Sequence, residues 1–171
     1  MKCDLKINQQ LLNRLQKLKK GKVEVGWLEG LTYDNGMPVW KVAEINEFGA
    51  TIKVTDKMRG WFLYNGFPLS KNTTEIHIPA RSFMRSTEDE KKEEWSNVIN
   101  SRLVKVFSGE LTIEQALEQL GIKIKADIQE KIASSVPPPN APMTQIRKGK
   151  NTPLIDSGLM LNSITFKTEV Q

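Results

Sequence analysis

The residues most suggestive of chemistry lie near the end of the chain, in Leu154-Ile155-Asp156-Ser157-Gly158. An aspartate followed by a hydroxyl residue and glycine, behind two apolar residues, suits an aspartic protease, in which two carboxylates share one proton. A homodimer would bring the second aspartate. However, such enzymes follow the glycine with a small residue, whereas Leu159 is large. Their motif also comes early in a β-rich chain, and this one comes late in a chain with strong helical patterns. Asp156 reads more simply as an acceptor for the free backbone N–H groups of a short helical turn.

Other constellations fail on composition. One histidine, His77, and one cysteine, Cys3, make a zinc site within one chain an unfavoured expectation. A single histidine between strand residues supplies no Ser-His-Asp or Cys-His arrangement. No Gly-rich phosphate loop of either common spacing occurs. Asn72-Thr73-Thr74 fits a glycosylation acceptor, but the N-terminus lacks the apolar stretch of a signal peptide. The expectation is a chain without catalytic residues, metal or cofactor.

The 171 residues point to one domain, able to bury roughly 70% of its unfolded surface without metal or disulfide support. No apolar run approaches the ~20 residues of a membrane span. The net charge of +5 is uneven. Residues 1–25 carry seven bases and two acids, residues 86–94 are net acidic, and Arg147, Lys148 and Lys150 form a second basic patch. That asymmetry suits nucleic acid or an acidic protein surface, or is simply a solvated face.

The elements that must position these groups follow from periodicity. Ile7, Leu11, Leu15 and Leu18 predict a basic amphipathic helix over 7–19, within an N-terminal segment 1–20. Alternation predicts strands at 22–27, around Ile52–Val54, at Ile76–Ile78 and at 163–167. Asp34-Asn35-Gly36 marks a turn, and a short helix runs between Pro38 and Gly49. Residues 56–70 read as a loop or hairpin excursion. Exposure of Trp61 and Phe62 there would signal a partner surface, burial a packed one. A helix is predicted from Ser86 or Thr87, with Thr87 and Glu90 at capping-box spacing, to about Phe107. Thr112 and Gln115 open a second, striped by Leu117, Leu120, Ile124, Ile128 and Ile132. Residues 135–153, with five prolines, read as a long extended arm that orders only on assembly. The fold class is α+β: a small antiparallel or mixed sheet against two or three helices, with a proline-rich loop near the C-terminus.

Several strings follow one another in order: Asn46-Glu47-Phe48-Gly49, then Ile78-Pro79-Ala80-Arg81-Ser82-Phe83, then Pro137–Pro139, then Pro153-Leu154-Ile155-Asp156-Ser157-Gly158 with Ser163-Ile164. Over most of residues 22–167 this pattern resembles the virion-morphogenesis and tail-completion proteins of tailed phages and prophages. Ser82 stands where that family commonly has proline, and Ser157 where it has threonine. The resemblance implies a non-enzymatic structural subunit that joins or completes the tail as a ring at the neck. Six copies fit the symmetry usual there. Its partners are then itself and other neck and tail proteins, with non-specific contact to passing DNA, and its place is the virion, assembled in the host cytoplasm. Trp61, Phe62, Arg147, Lys148 and Lys150 are the candidate interface residues. Pro79, Arg81, Phe83, Asp156 and Gly158 are candidate structural residues, Arg81 by bonding a carboxylate or carbonyl. A non-specific nucleic-acid-binding protein is the alternative, and a dimeric protease using Asp156 a third.

Overall fold

The computed structural model describes Asn13, Gln16, residues 20–27 and residues 30–170. The helix expected over 7–19 lies outside the described residues except at Asn13 and Gln16, both helical and exposed. The architecture is α+β, as the patterning predicts. Strand β1 (Lys22–Gly26) is followed by α1 (Val39–Phe48), β2 (Ala50–Lys53), α2 (Asp56–Tyr64) and β3 (Glu75–Ile78). Then come α3 (Met84–Ser108), α4 (Ile113–Ala133), α5 (Pro142–Lys148), α6 (Leu159–Ser163) and β4 (Thr165–Glu169).

The expected single sheet is two separate two-stranded antiparallel sheets, β1 with β4 and β2 with β3. Alternation marks a strand's existence and inward face but says nothing of its partner. Here β1 pairs across almost the whole chain, Lys22 opposite Glu169 and Gly26 opposite Thr165. The last strand also begins two residues later than predicted. Ser163 belongs to α6, and its hydroxyl donates to the Leu159 carbonyl at 2.6 Å.

The described chain forms two compact units. The first contains the described residues up to Trp27 together with Thr87–Ile128 and Ile164–Val170. Its core is Val106, Ile113, Ala116 and Leu117, with Val23, Ile99, Leu111 and Val170 packed against it. Full burial of each such aliphatic contributes about 1.5–3 kcal/mol. The turn between α3 and α4 closes as its residues predict: Thr112 N–H donates to Gln115 Oε1 at 2.9 Å, and Gln115 N–H to Thr112 Oγ1 at 3.2 Å. A partly buried polar link joins the two helices. Trp95 Nε1 donates to Asp127 Oδ2 at 2.7 Å, while Lys123 Nζ lies 2.8 Å from Asp127 and 2.6 Å from Glu94. On α4, Gly121 lies against the Phe166 ring of β4, where a Cβ would sit 2.3 Å from a ring carbon. Gly121→Ala is expected to cost about 1–3 kcal/mol by overpacking. Phe166→Leu in the same chain should recover part of that loss in a denaturation midpoint.

The second unit contains residues 30–86 and 129–163. Its buried apolar residues include Val39, Ala43, Phe83, Ile132, Leu154 and Met160. The Asp34–Gly36 turn forms as expected, Gly36 N–H donating to the Tyr33 carbonyl at 2.8 Å with Gly36 at φ 77°. Of residues 56–70, read as a loop or hairpin, Asp56–Tyr64 is a helix and only 65–70 is loop. Thr55 Oγ1 accepts the Met58 N–H and starts α2, and Arg59 donates to the carbonyls of Ser70 and Thr73, tying the following loop to the helix.

The proline-rich segment is not extended throughout: α5 interrupts residues 135–153. Pro142 sits at the first helical position, where its missing N–H costs nothing, and Gly149 closes the helix at φ 66°. Asn140 N–H donates to Asn151 Oδ1, and Lys148 Nζ to the Thr152 carbonyl at 2.8 Å.

Candidate functional site

Three of the four strings meet at one polar node in the second unit. At its centre is Glu47, 3% exposed at the end of α1. Its carboxylate accepts the backbone N–H groups of Phe83 and Met84, both at 2.8 Å, and of Arg85 at 3.2 Å. The Ser82 hydroxyl donates to it at 2.9 Å, and Arg85 Nε at 2.9 Å. These N–H groups are the free donors at the start of α3, so a carboxylate far away in sequence caps the helix. The predicted cap at Thr87 and Glu90 is therefore displaced: α3 starts at Met84, and Thr87 is buried inside it, 2% exposed. Burial pushes the Glu47 carboxyl up, but the hydrogen bonds from Met84, Arg85 and Ser82 outweigh it and hold the group below the ordinary glutamate value.

Two further contacts complete the node. Gly49 turns the chain from α1 into β2 at φ 75° and lies against the backbone of Ile78 and Ala80. Arg81, 5% exposed, donates through Nε to the Pro138 carbonyl at 2.7 Å and through Nη2 to the Pro139 carbonyl at 3.1 Å. Of the alternatives open for Arg81, carbonyl bonding is the one realised. Phe83 is fully buried. Pro79 is exposed just after β3, where it cannot extend the strand's hydrogen bonding.

A cleft of about 240 Å³ in the second unit is lined by Tyr33, Asn35, Arg147, Lys148, Leu154 and Asp156 among others. Arg147 and Asp156 face each other at 3.5 Å with both side chains more than half exposed. Asp156 does not cap the turn as expected. Ser157 Oγ accepts the Leu159 N–H at 3.3 Å instead, because Gly158, at φ 85°, swings the chain so that the serine meets the start of α6. Within one copy the Asp156 carboxylate thus has an arginine beside it, an arrangement unlike two carboxylates sharing a proton. Burial pushes the Lys148 ammonium down, against the charge of Asp156, and burial together with that charge pushes the Tyr33 hydroxyl up. Lys148 is turned onto the Thr152 and Pro153 carbonyls, whereas Arg147 and Lys150 stay exposed. Asp156→Asn is expected to change stability by less than about 1 kcal/mol, as for other exposed ion pairs, which a urea midpoint would check.

Trp61 lies on α2, 46% exposed, with Leu63 at 66% and Tyr64 at 91%; no residue of α2 is buried. Phe62 is half-buried, its ring edge-on to Trp61. His77 is exposed on β3, paired with the Thr51 hydroxyl at 2.9 Å. Among the described residues, no group of three or more His, Cys, Asp or Glu is placed to hold a metal ion, and no helix is long and apolar enough to cross a membrane. Sequence reasoning did not assign roles to Glu47 or Tyr33. Only the Asn-Glu-Phe-Gly string pointed at Glu47, without a mechanism. No family model, curated protein or solved structure matches the chain.

Proposed function

We propose that this chain is a structural subunit of a tailed-phage virion, forming a ring at the neck or top of the tail and acting by assembly, with no catalytic step. The observation that carries the reading is the polar node. Asn46–Gly49, Ile78–Arg85 and Pro138–Pro139, which carry the family resemblance, meet in one hydrogen-bonded unit around Glu47 and Arg81. Three of the strings that carry the resemblance thus belong to one structural unit, which supports reading them together. An exposed aromatic helix and an exposed Arg147 are features a ring subunit would use against its neighbours. Electron microscopy of the purified protein, alone and mixed with tails, tests the reading. Rings or decorated tail ends are expected; undecorated tails and no ring under any condition overturn it. Exposed Arg147 and Lys150 favour non-specific nucleic-acid contact as the second reading, for which a gel shift weakening steeply with salt is the expected result.

A further inference from the structure

The cleft of the second unit gathers more positive charge than its own groups answer. Arg147, Lys148 and Tyr33 line it, and Asp156 is its one acid. Lys150 joins them, its Nζ 3.3 Å from the Asp156 backbone carbonyl oxygen. Three bases, Arg147, Lys148 and Lys150, against one acid, Asp156, leave two positive charges. Asp34, in the turn before Asn35, is exposed and does not line the cleft. Arg81, 5% exposed in the same unit, is bonded to the Pro138 and Pro139 carbonyls, which carry no net charge. Burial pushes the Lys148 ammonium down, and the like charges of Lys150, Arg147 and Arg81 add to that against the single opposing charge of Asp156. Cations drawn out of water are ordinarily matched by an anion.

The donors in the cleft also have capacity to spare. Arg147 Nη2 lies 3.5 Å from Asp156 Oδ2, too far for a strong hydrogen bond, and its side chain is 56% exposed. Lys148 Nζ turns two of its three N–H groups to the Thr152 and Pro153 carbonyls and keeps the third. The Tyr33 hydroxyl oxygen accepts the Met160 N–H, which leaves its proton to donate. Burial pushes that hydroxyl's pKa up, so it stays a donor. A phosphate monoester is the complement: it carries about −1.5 to −2 charges at pH 7 and three strong acceptor oxygens, one for each of these donors. A carboxylate has less charge and one oxygen fewer. At about 240 Å³ the cleft is smaller than the roughly 300–1,000 Å³ that encloses a whole drug-sized ligand, so it holds the phosphate and little of what carries it.

We propose that this cleft binds a terminal phosphate group, with Arg147 as its main ligand, Lys148 and Tyr33 completing the donor set and Lys150 adding to the field. The site is built within one copy and stands apart from the ring reading.

The full chain is titrated with phenyl phosphate and with inorganic phosphate by calorimetry. A single-stranded oligonucleotide, with and without a 5′-phosphate, is titrated by fluorescence anisotropy. Saturable binding of one phenyl phosphate per chain is expected. Arg147→Gln should weaken it about tenfold or more. Lys105→Gln removes the same charge from an exposed position of the first unit and should leave affinity within about twofold. Asp156→Asn removes the competing carboxylate and should tighten binding about threefold. All three positions are exposed, and unchanged circular dichroism would show that the variants fold. Inorganic phosphate binding without any preference between the oligonucleotides assigns a free phosphate as the source. Preference for the 5′-phosphorylated strand assigns a nucleic-acid end. The proposal is overturned if phenyl phosphate does not bind, if Arg147→Gln and Lys105→Gln weaken it equally, or if Asp156→Asn leaves it unchanged or weaker. Oligonucleotides that bind equally with and without the phosphate, and that phenyl phosphate does not displace, overturn it in favour of contact with the nucleic-acid backbone.

Discussion

Glu47→Ala is expected to lower stability by about 3 kcal/mol, which for a chain of this size is a fall in Tm of roughly 10 °C. The substitution removes the carboxylate that accepts three backbone N–H groups at the start of α3, and it removes the partner of Ser82. Hydrogen bonds to a charged group are worth about 1.5–3 kcal/mol each, and helix caps about 1 kcal/mol, though the terms do not add fully. The ion pair with Arg85 contributes least, because that side chain is 55% exposed. Glu47→Gln keeps an oxygen for the cap and should cost less. It also separates the charge from the shape. Since the folded-state carboxyl titrates below its ordinary value of 4.5, its stabilisation is complete above that value. That stabilisation is lost as the pH falls through the lowered folded value. The stability gap between wild type and Glu47→Gln should therefore be wide at pH 7 and narrow on acidification, read from denaturation midpoints. A gap that does not change with pH would sink the charged-cap account.

Gly49→Ala should be comparably costly, at about 3 kcal/mol. With φ at 75° and ψ at 171°, Gly49 occupies a region that is essentially closed to residues with a Cβ, at a cost of about 1–3 kcal/mol. An added Cβ would also lie 2.8 Å from the Ile78 carbonyl oxygen and 2.9 Å from the Ala80 nitrogen. Both are backbone atoms. Neither can retreat without disturbing the pairing of Ala50 with Ile78 at the start of the β2–β3 sheet. Gly66→Ala is the matched control. Its φ is 82°, but no described atom lies within 4 Å of the Cβ position, so only the conformational penalty of about 1–2 kcal/mol applies. Equal losses in the two variants, by calorimetry, would mean that the close approach at Gly49 contributes nothing.

These two positions mark the limit of what local pattern reveals. The Thr112–Gln115 box, the Asp34–Gly36 turn and the apolar stripe of α4 are legible because the interacting residues lie within a turn or two of each other. Helical period, cap spacing and turn chemistry are local properties. The exposed aromatics of Trp61–Tyr64 were legible as residues but not as a helix, because two glycines and a dense apolar run obscure the period. The α+β class and the candidate strings, with Arg81 as a bonding residue, could likewise be read from the order of residues alone.

Tertiary structure decided which groups meet. The pairing of β1 with β4, the capping of α3 by Glu47 and the clasp of Arg81 on Pro138 and Pro139 join positions separated by tens of residues. Each depends on the direction in which the intervening elements bring the chain back. The same holds for residues 135–153. Their prolines predict stiffness, and only the fold brings in Arg81, Asn151 and the Thr152 carbonyl to hold them. Asp156 is the plainest case. Its neighbours in sequence suggest a cap or a catalytic acid, but the left-handed turn at Gly158 gives the cap to Ser157 and leaves the carboxylate facing Arg147.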